Sequence, residues 1–208
     1  AEVGPLAEAR RHDNVSLITG ANVLRLETDA SGTRIVAAIY VKDGAERRIT
    51  GEVFAVAAGA VQSAALLLRS ANEKPPRGLA NGSDQLGRNF MNHNTSAMLV
   101  LHPFEVNTSV YQKTLAFNDF YNRDPETGFP LGNVQLLGRI TTSILKANAP
   151  ALPRWMAALI ARRCYGWFLT SEDLPNPESR VMLRGDRIVV NWVRSNMAAH
   201  EALIRRTR

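Results

Sequence analysis

The stretch from Glu52 to Ser70, EVFAVAAGAVQSAALLLRS, leaves a chain like this few ways to fold. Glu52 to Val56 is a short, mostly apolar run, the composition of a strand covered on both faces. Ala57-Ala58-Gly59-Ala60 then presents almost no side chain, so the backbone can lie close against another backbone or a ligand. Gln62 and Ser63 sit in the first turn of a helix that Leu66, Leu67 and Arg69 continue. A strand feeding a helix through a glycine presents free N–H groups and the positive end of the helix dipole, which is where α/β proteins seat phosphates and nucleotides. The plainer reading is that Gly59 only permits close packing of strand and helix. The local pattern fits both.

Composition bounds what surrounds this stretch. The 208 residues suffice for one domain or one and a half, and 45% apolar with 21% charged residues is ordinary for a chain that buries a core. Cys164 is the single cysteine, so no internal disulfide forms. That fits a reducing compartment without excluding export; the cytoplasm is the expected location, with the periplasm or a membrane surface as alternatives. The start, Ala1 to Pro5, lacks the basic and apolar regions of a signal peptide. Both ends read as the middle of something longer. The net charge of +6 comes from scattered arginines, with doublets such as Arg47-Arg48 and Arg162-Arg163. No aromatic-interleaved basic stripe accompanies them, so no nucleic-acid partner is expected. His12, His93, His102 and His200 have no ligand spacing and no paired cysteines, so no metal site is expected.

In chain order, Leu6 to Arg11 reads as the end of a helix and Val15 to Thr19 as a strand. Strands at Asn22 to Glu27, Arg34 to Lys42 and from Arg47 on are separated by the turns Thr28 to Gly32 and Asp43-Gly44, a β-meander that delivers the chain to the buried strand. Pro75-Pro76 forbids helix in the loop that follows. Ala97 to Leu101, Leu131 to Leu137 and Cys164 to Thr170 read as strands, and Tyr111 to Tyr121 as a strand whose aromatic side walls a substrate cavity or, more plainly, packs in a sheet core. Leu152, Trp155, Met156, Leu159, Ile160 and Arg163 recur at helical spacing. That stripe is either packed core, a lid, or a helix lying on a membrane surface. Arg180 to Arg184 and Arg187 to Trp192 form a hairpin around Gly185-Asp186, and Ser195-Asn196 is an N-cap signal for a helix from Met197.

Three separated segments carry a family resemblance: Asn14 to Val23, Ala57 to Ser70, and Leu79 to His93, the last with Leu86-Gly87-Arg88-Asn89-Phe90-Met91-Asn92-His93. In this order, with the meander between the first two, they resemble the glucose–methanol–choline (GMC) oxidoreductases. Asn92 stands where many members have Asp, and Ser63-Ala64 where many have Ser-Pro. Glu172 to Val181 also resembles a family segment entering the substrate-domain sheet. The resemblance implies an α/β (mixed α+β) chain: residues 1–90 as part of an FAD-binding, Rossmann-like domain with its meander, and 91–208 as part of a substrate domain built on an antiparallel sheet. It implies FAD as cofactor, with Val23 at the adenine and Ala58-Gly59-Ala60 by the adenosine and diphosphate. Asn89, Asn92 and His93, beside Asn94, fall at the crossing between domains, either lining the flavin or substrate cavity or, more plainly, satisfying turn backbone.

The same resemblance implies oxidation of an alcohol or sugar by hydride transfer to flavin. It implies too that this chain is a central fragment. No Gly-x-Gly-x-x-Gly follows a strand, and His200 lies in a helix before the family's catalytic histidine region, so no catalytic residue is assigned within the chain. On its own the chain is expected to be inactive. Two other classes fit the residues: another FAD-superfamily flavoprotein such as a hydroxylase or desaturase, and a non-catalytic module on a degenerate flavoprotein scaffold. The Leu152 to Arg163 helix is the candidate for a peripheral membrane contact.

Overall fold

The computed structural model describes residues 4–208. Along the chain run α1 (Pro5–Ala9), β1 (Asn22–Thr28), β2 (Ile35–Lys42), β3 (Ala45–Thr50), α2 (Gly59–Arg69), β4 (Asn94–Leu101), β5 (Ala116–Phe117) and β6 (Asn133–Gly138). They continue with α3 (Thr142–Asn148), α4 (Arg154–Arg163), β7 (Cys164–Ser171), β8 (Arg180–Arg184), β9 (Arg187–Asn191) and α5 (Met197–Thr207). The chain is mixed α/β, with every named strand pair antiparallel. It divides into two compact units that are not continuous in sequence: residues up to Arg88 with Glu178–Asn191, and Asn89–Pro177 with Trp192–Arg208.

In the first unit the meander β1-β2-β3 forms a three-stranded sheet. Asp43 and Gly44, both at positive φ, make the tight turn between β2 and β3. Leu26, Ala38 and Leu79 are buried, with Leu66 and Leu67 of α2 and Phe54 and Val56 packed on them. Ser70 ties helix to sheet: its buried hydroxyl accepts the Leu26 N–H at 2.8 Å and donates to the Leu66 carbonyl at 2.7 Å. The β8-β9 hairpin joins this unit through the Val181 N–H, which donates to the Gly87 carbonyl at 2.8 Å. Gly87 has φ +77°, and a Cβ there would collide with the Val181 carbonyl.

Two expected strands are absent. Val15 to Thr19 and Glu52 to Ala58 are irregular. The second connects β3 to α2 but has no strand beside it to complete a ladder among the described residues, and Val53 is 89% exposed. Its apolar composition was the basis for expecting burial; Phe54 and Val56 do turn inward, while Val53 and Ala55 do not.

The second unit is a four-stranded sheet in the order β4-β7-β6-β5. Helix α5 packs across it, and Leu131, Val134, Leu169, Ala199, Ala202 and Leu203 form the core. Alanines at 199 and 202 let α5 lie close to the sheet, and Gly132 lets β6 reach β7, since a Cβ there would fall onto the Thr170 carbonyl. The expected strand at Tyr111 to Tyr121 is reduced to Ala116–Phe117. The stretch before it meets β6 outside regular pairing, with Lys113 N–H on the Leu136 carbonyl and Leu136 N–H on the Leu115 carbonyl, and the stretch after it turns, with Tyr121 N–H on the Asn118 carbonyl. The helix expected from Leu152 begins at Arg154, after Pro153, and is preceded by α3, which Thr141 caps by accepting the Ile144 N–H at 3.2 Å. Asn196 precedes α5 but does not cap it with its side chain; it takes φ +55° and donates to the Glu172 carbonyl instead. Arg206 reaches from α5 to the buried Asp124 at 2.8 Å, and the guanidinium holds the Asp124 carboxyl down at about 2.

Candidate functional site

The first unit carries a cavity of about 490 Å³ between the meander and the start of α2. Val23, Leu26, Ala38 and Leu66 give it apolar walls, and the chain from Phe54 to Ala58 runs along it. Two sequence features build it. A bulge between Val23 and Arg25 shifts the register of β1, so residues three apart, Val23 and Leu26, border the same cavity, which strict alternation would forbid. The absence of a ladder beside Val53 to Ala57 leaves their N–H groups without a hydrogen bond among the described residues. Ser63 reaches back from the first turn of α2 to accept the Ala58 N–H at 3.1 Å, which fixes the bend into the helix. Gly59 takes φ +80°, a conformation that disfavours any side chain.

Of the residues singled out for a cofactor, Val23 and Ala58 line this cavity, while Gly59 and Ala60 stand exposed in the first turn of α2 at its margin. Phe54, Gln62 and Arg69 also line it and were not anticipated. Arg69 is held by donating to the Asp186 carbonyl at 3.0 Å, a contact from 117 residues away that no local pattern could announce.

The second unit holds a polar cavity of about 320 Å³, lined by His93, Asn118, Asn133, Gln135, Thr170 and Glu172 among others. His93 Nδ1 lies 3.8 Å from the Glu172 carboxylate. A larger, more apolar cavity of about 620 Å³ shares Tyr121 and Glu172 with it and adds Phe129, Leu131 and Leu174. Asn92 serves the turn: its side chain accepts the His93 N–H at 3.0 Å, and its own N–H donates to Asp173 at 3.3 Å. Asn89 is a left-handed, partly buried turn residue at φ +56°. Asp173 gathers this region, accepting from Asn92, Ser195 and the Trp192 indole. Burial works to raise its pKa, but the hydrogen bonds from Ser195, Trp192 and Asn92 prevail and hold it below the usual carboxylate range.

His200 is not open to a ligand. It is 3% exposed and lies between Ser96 Oγ at Nε2 and Ser171 Oγ at Nδ1, both at 2.9 Å. Burial, with help from Arg194, pushes its pKa below the ordinary value.

Comparison with known proteins bears on the first unit. Residues 2–95 match the family model described as GMC oxidoreductase. Over this stretch the chain is similar to the GMC oxidoreductases. The chain is 45% identical over 86 residues to the 6'''-hydroxyparomomycin C oxidase of Streptomyces lividus, and 38% identical over 77 residues to the fructose dehydrogenase large subunit of Gluconobacter japonicus. It is 40% identical over 86 residues to the paromamine 6'-oxidase of Streptomyces fradiae. These matches cover 37 to 40% of this chain and only 14 to 16% of the relatives. Every residue lining the first cavity, from Ala21 to Arg69, falls inside the GMC-matched region. In this family the N-terminal domain is the FAD-binding region.

Proposed function

We propose that this chain is a central part of a longer GMC-type FAD-dependent oxidoreductase that oxidises an alcohol or sugar hydroxyl. The observation that carries this reading is the coincidence of the cavity beside α2 with the family-matched region. The residues present fit one end of the cofactor. Val23, Leu26, Ala38 and Leu66 offer apolar walls to a flat purine, and the unpaired backbone along Phe54 to Ala57 offers donors to its polar edge. The start of α2, with bare Gly59 and Ala60, suits the negative charge of the adjoining phosphates. Bound flavin supplies the hydride acceptor.

The chain's own part is to hold and orient. No residue in it is assigned as the base that takes the hydroxyl proton, and His200 is sealed between two serines. The relatives are named for fructose, 6'''-hydroxyparomomycin C and paromamine. The amide, hydroxyl and imidazole lining of the polar cavity in the second unit suits a similarly hydroxylated substrate, with His93 beside it.

The test is flavin content in the full-length protein. Val23 is 42% exposed, so Val23→Arg places a cation in the cavity without disturbing the core. It should weaken FAD retention at least about tenfold, equivalent to about 1.4 kcal/mol, while Val23→Ala retains flavin and both keep the wild-type circular dichroism. Unchanged FAD affinity in Val23→Arg would remove the adenine-side assignment. The purified 208-residue chain should show neither stable flavin absorbance nor alcohol oxidation, and tight flavin retention by it would sink the fragment reading.

A further inference from the structure

At one end of the second unit's sheet, the α3-α4 hairpin presents an exposed mixture of apolar and cationic side chains. The 45 residues from Thr127 to Ser171 contain Arg139, Lys146, Arg154, Arg162 and Arg163 but not one aspartate or glutamate. Among the described residues none of these five cations pairs with a carboxylate. Helix α4 buries Ala157 and Ala161 and turns Trp155, Leu159 and Arg162 outward as an i, i+4, i+7 stripe. Trp155 is 67% exposed and Ile144, on α3, 50%.

A third element adds to this end. The segment from His102 to Asn107 straps the C-terminal turn of α4: His102 N–H donates to the Arg163 carbonyl at 2.9 Å and Asn107 N–H to the Arg162 carbonyl at 2.8 Å. Asn107, itself buried, also donates to the Cys164 carbonyl at 2.8 Å. The strap carries Phe104, 88% exposed, beside the Arg162-Arg163 end of the helix. Glu105 is the one carboxylate within the strap itself.

Helix stability explains only part of the charge. Arg162 and Arg163 sit in the last turn of α4, where cations favour the dipole; Arg154 sits in the first turn, where a cation opposes it, and no acidic residue offsets it. An exposed indole and phenyl ring among cations, with anions excluded over 45 residues of sequence, complements a surface that is apolar just below a layer of negative charge. We propose that this face docks the protein peripherally on an anionic lipid surface, with Trp155, Leu159 and Phe104 entering the headgroup region and the arginines on the phosphates. No helix among the described residues is long and apolar enough to cross a membrane, so the contact is interfacial. This inference stands apart from the flavin reading.

Co-sedimentation of the full-length protein with vesicles tests it. Vesicles of phosphatidylcholine with one-third phosphatidylglycerol should bind the protein, and pure phosphatidylcholine should bind it weakly. Each cation near an anionic surface multiplies partitioning by about fivefold. Arg154→Glu with Arg162→Glu should therefore cost at least about tenfold, as should Trp155→Asp with Leu159→Asp. All four positions are exposed, and unchanged thermal midpoints would show that the variants fold. Absence of binding, equal binding to neutral vesicles, or binding indifferent to both variants overturns the proposal. So does a self-associated protein that ignores vesicles and becomes monomeric in either variant, which would assign the face to a second copy.

Discussion

His200 shows how a residue's role depends on what touches it. From the sequence it was one histidine on a helix, set aside as catalytic base on position alone. In the fold both ring nitrogens meet serine hydroxyls in a buried site, and burial pushes its pKa below the ordinary value. The unfolded chain thus binds a proton near pH 6.5 that the folded chain does not. Stability from this group is constant above that value and declines as pH falls below it, until the folded pKa is reached, no more steeply than about 1.4 kcal/mol per pH unit. The urea midpoint should drop between pH 8 and pH 5.5 in the wild type, and His200→Gln should flatten that slope. Equal slopes in the two proteins would mean that His200 is protonated in the fold. Asp124 and Asp173, both held below the usual carboxylate range, act only at lower pH and leave this window clear.

Elements with their own turn chemistry were legible in the sequence. Asp43-Gly44 and Gly185-Asp186 announced hairpins, and the structure forms both. Elements that depend on a distant partner were not. Val53 to Val56 has strand composition, yet a strand needs a neighbour, and the one expected is absent among the described residues. The aromatic run before Tyr121 failed for a different reason: Lys113 and Leu115 meet Leu136 of β6 out of regular register and the chain turns at Asn118 to Tyr121, so only Ala116 and Phe117 pair in a ladder. Helix α3 was missed because its seven residues carry too little periodicity to register. By contrast α5 was read from a cap signal that the structure does not use, and it forms because Ala199, Ala202 and Leu203 bury against the sheet. Leu203 is fully buried in that contact. Leu203→Ala should lower the unfolding free energy by about 2–5 kcal/mol in denaturant titration. A loss under about 1 kcal/mol would show that α5 owes its place to helix propensity rather than to packing.

On the scale of the whole molecule, the candidate cavity was half legible. Val23 and Ala58 could be named because they lie in segments resembling a family; Arg69 and Phe54 could not, because folding alone brings them to the cavity. The place of the β8-β9 hairpin was hidden for the same reason. The β8-β9 hairpin lies far along the sequence, yet it packs with residues before Arg88. Several contacts join it: Arg69 donates to the Asp186 carbonyl, Arg180 lies 3.6 Å from the Asp84 carboxylate, the Gly87 carbonyl accepts the Val181 N–H, Arg88 and Arg180 form a β-bridge, and the bare Cα of Gly87 lies under the Val181 carbonyl. Gly87→Val puts a branched side chain at φ +77° and into that carbonyl, so the hairpin should be levered off its unit. If the two units are separate cooperative blocks, the damage should stay within the first. Hydrogen exchange should then speed at Val181 and along β8 and β9, while the amides of Val134 and Leu169 in the second unit's core keep their protection. Acceleration of all these amides by one common factor would show instead that the two units open together.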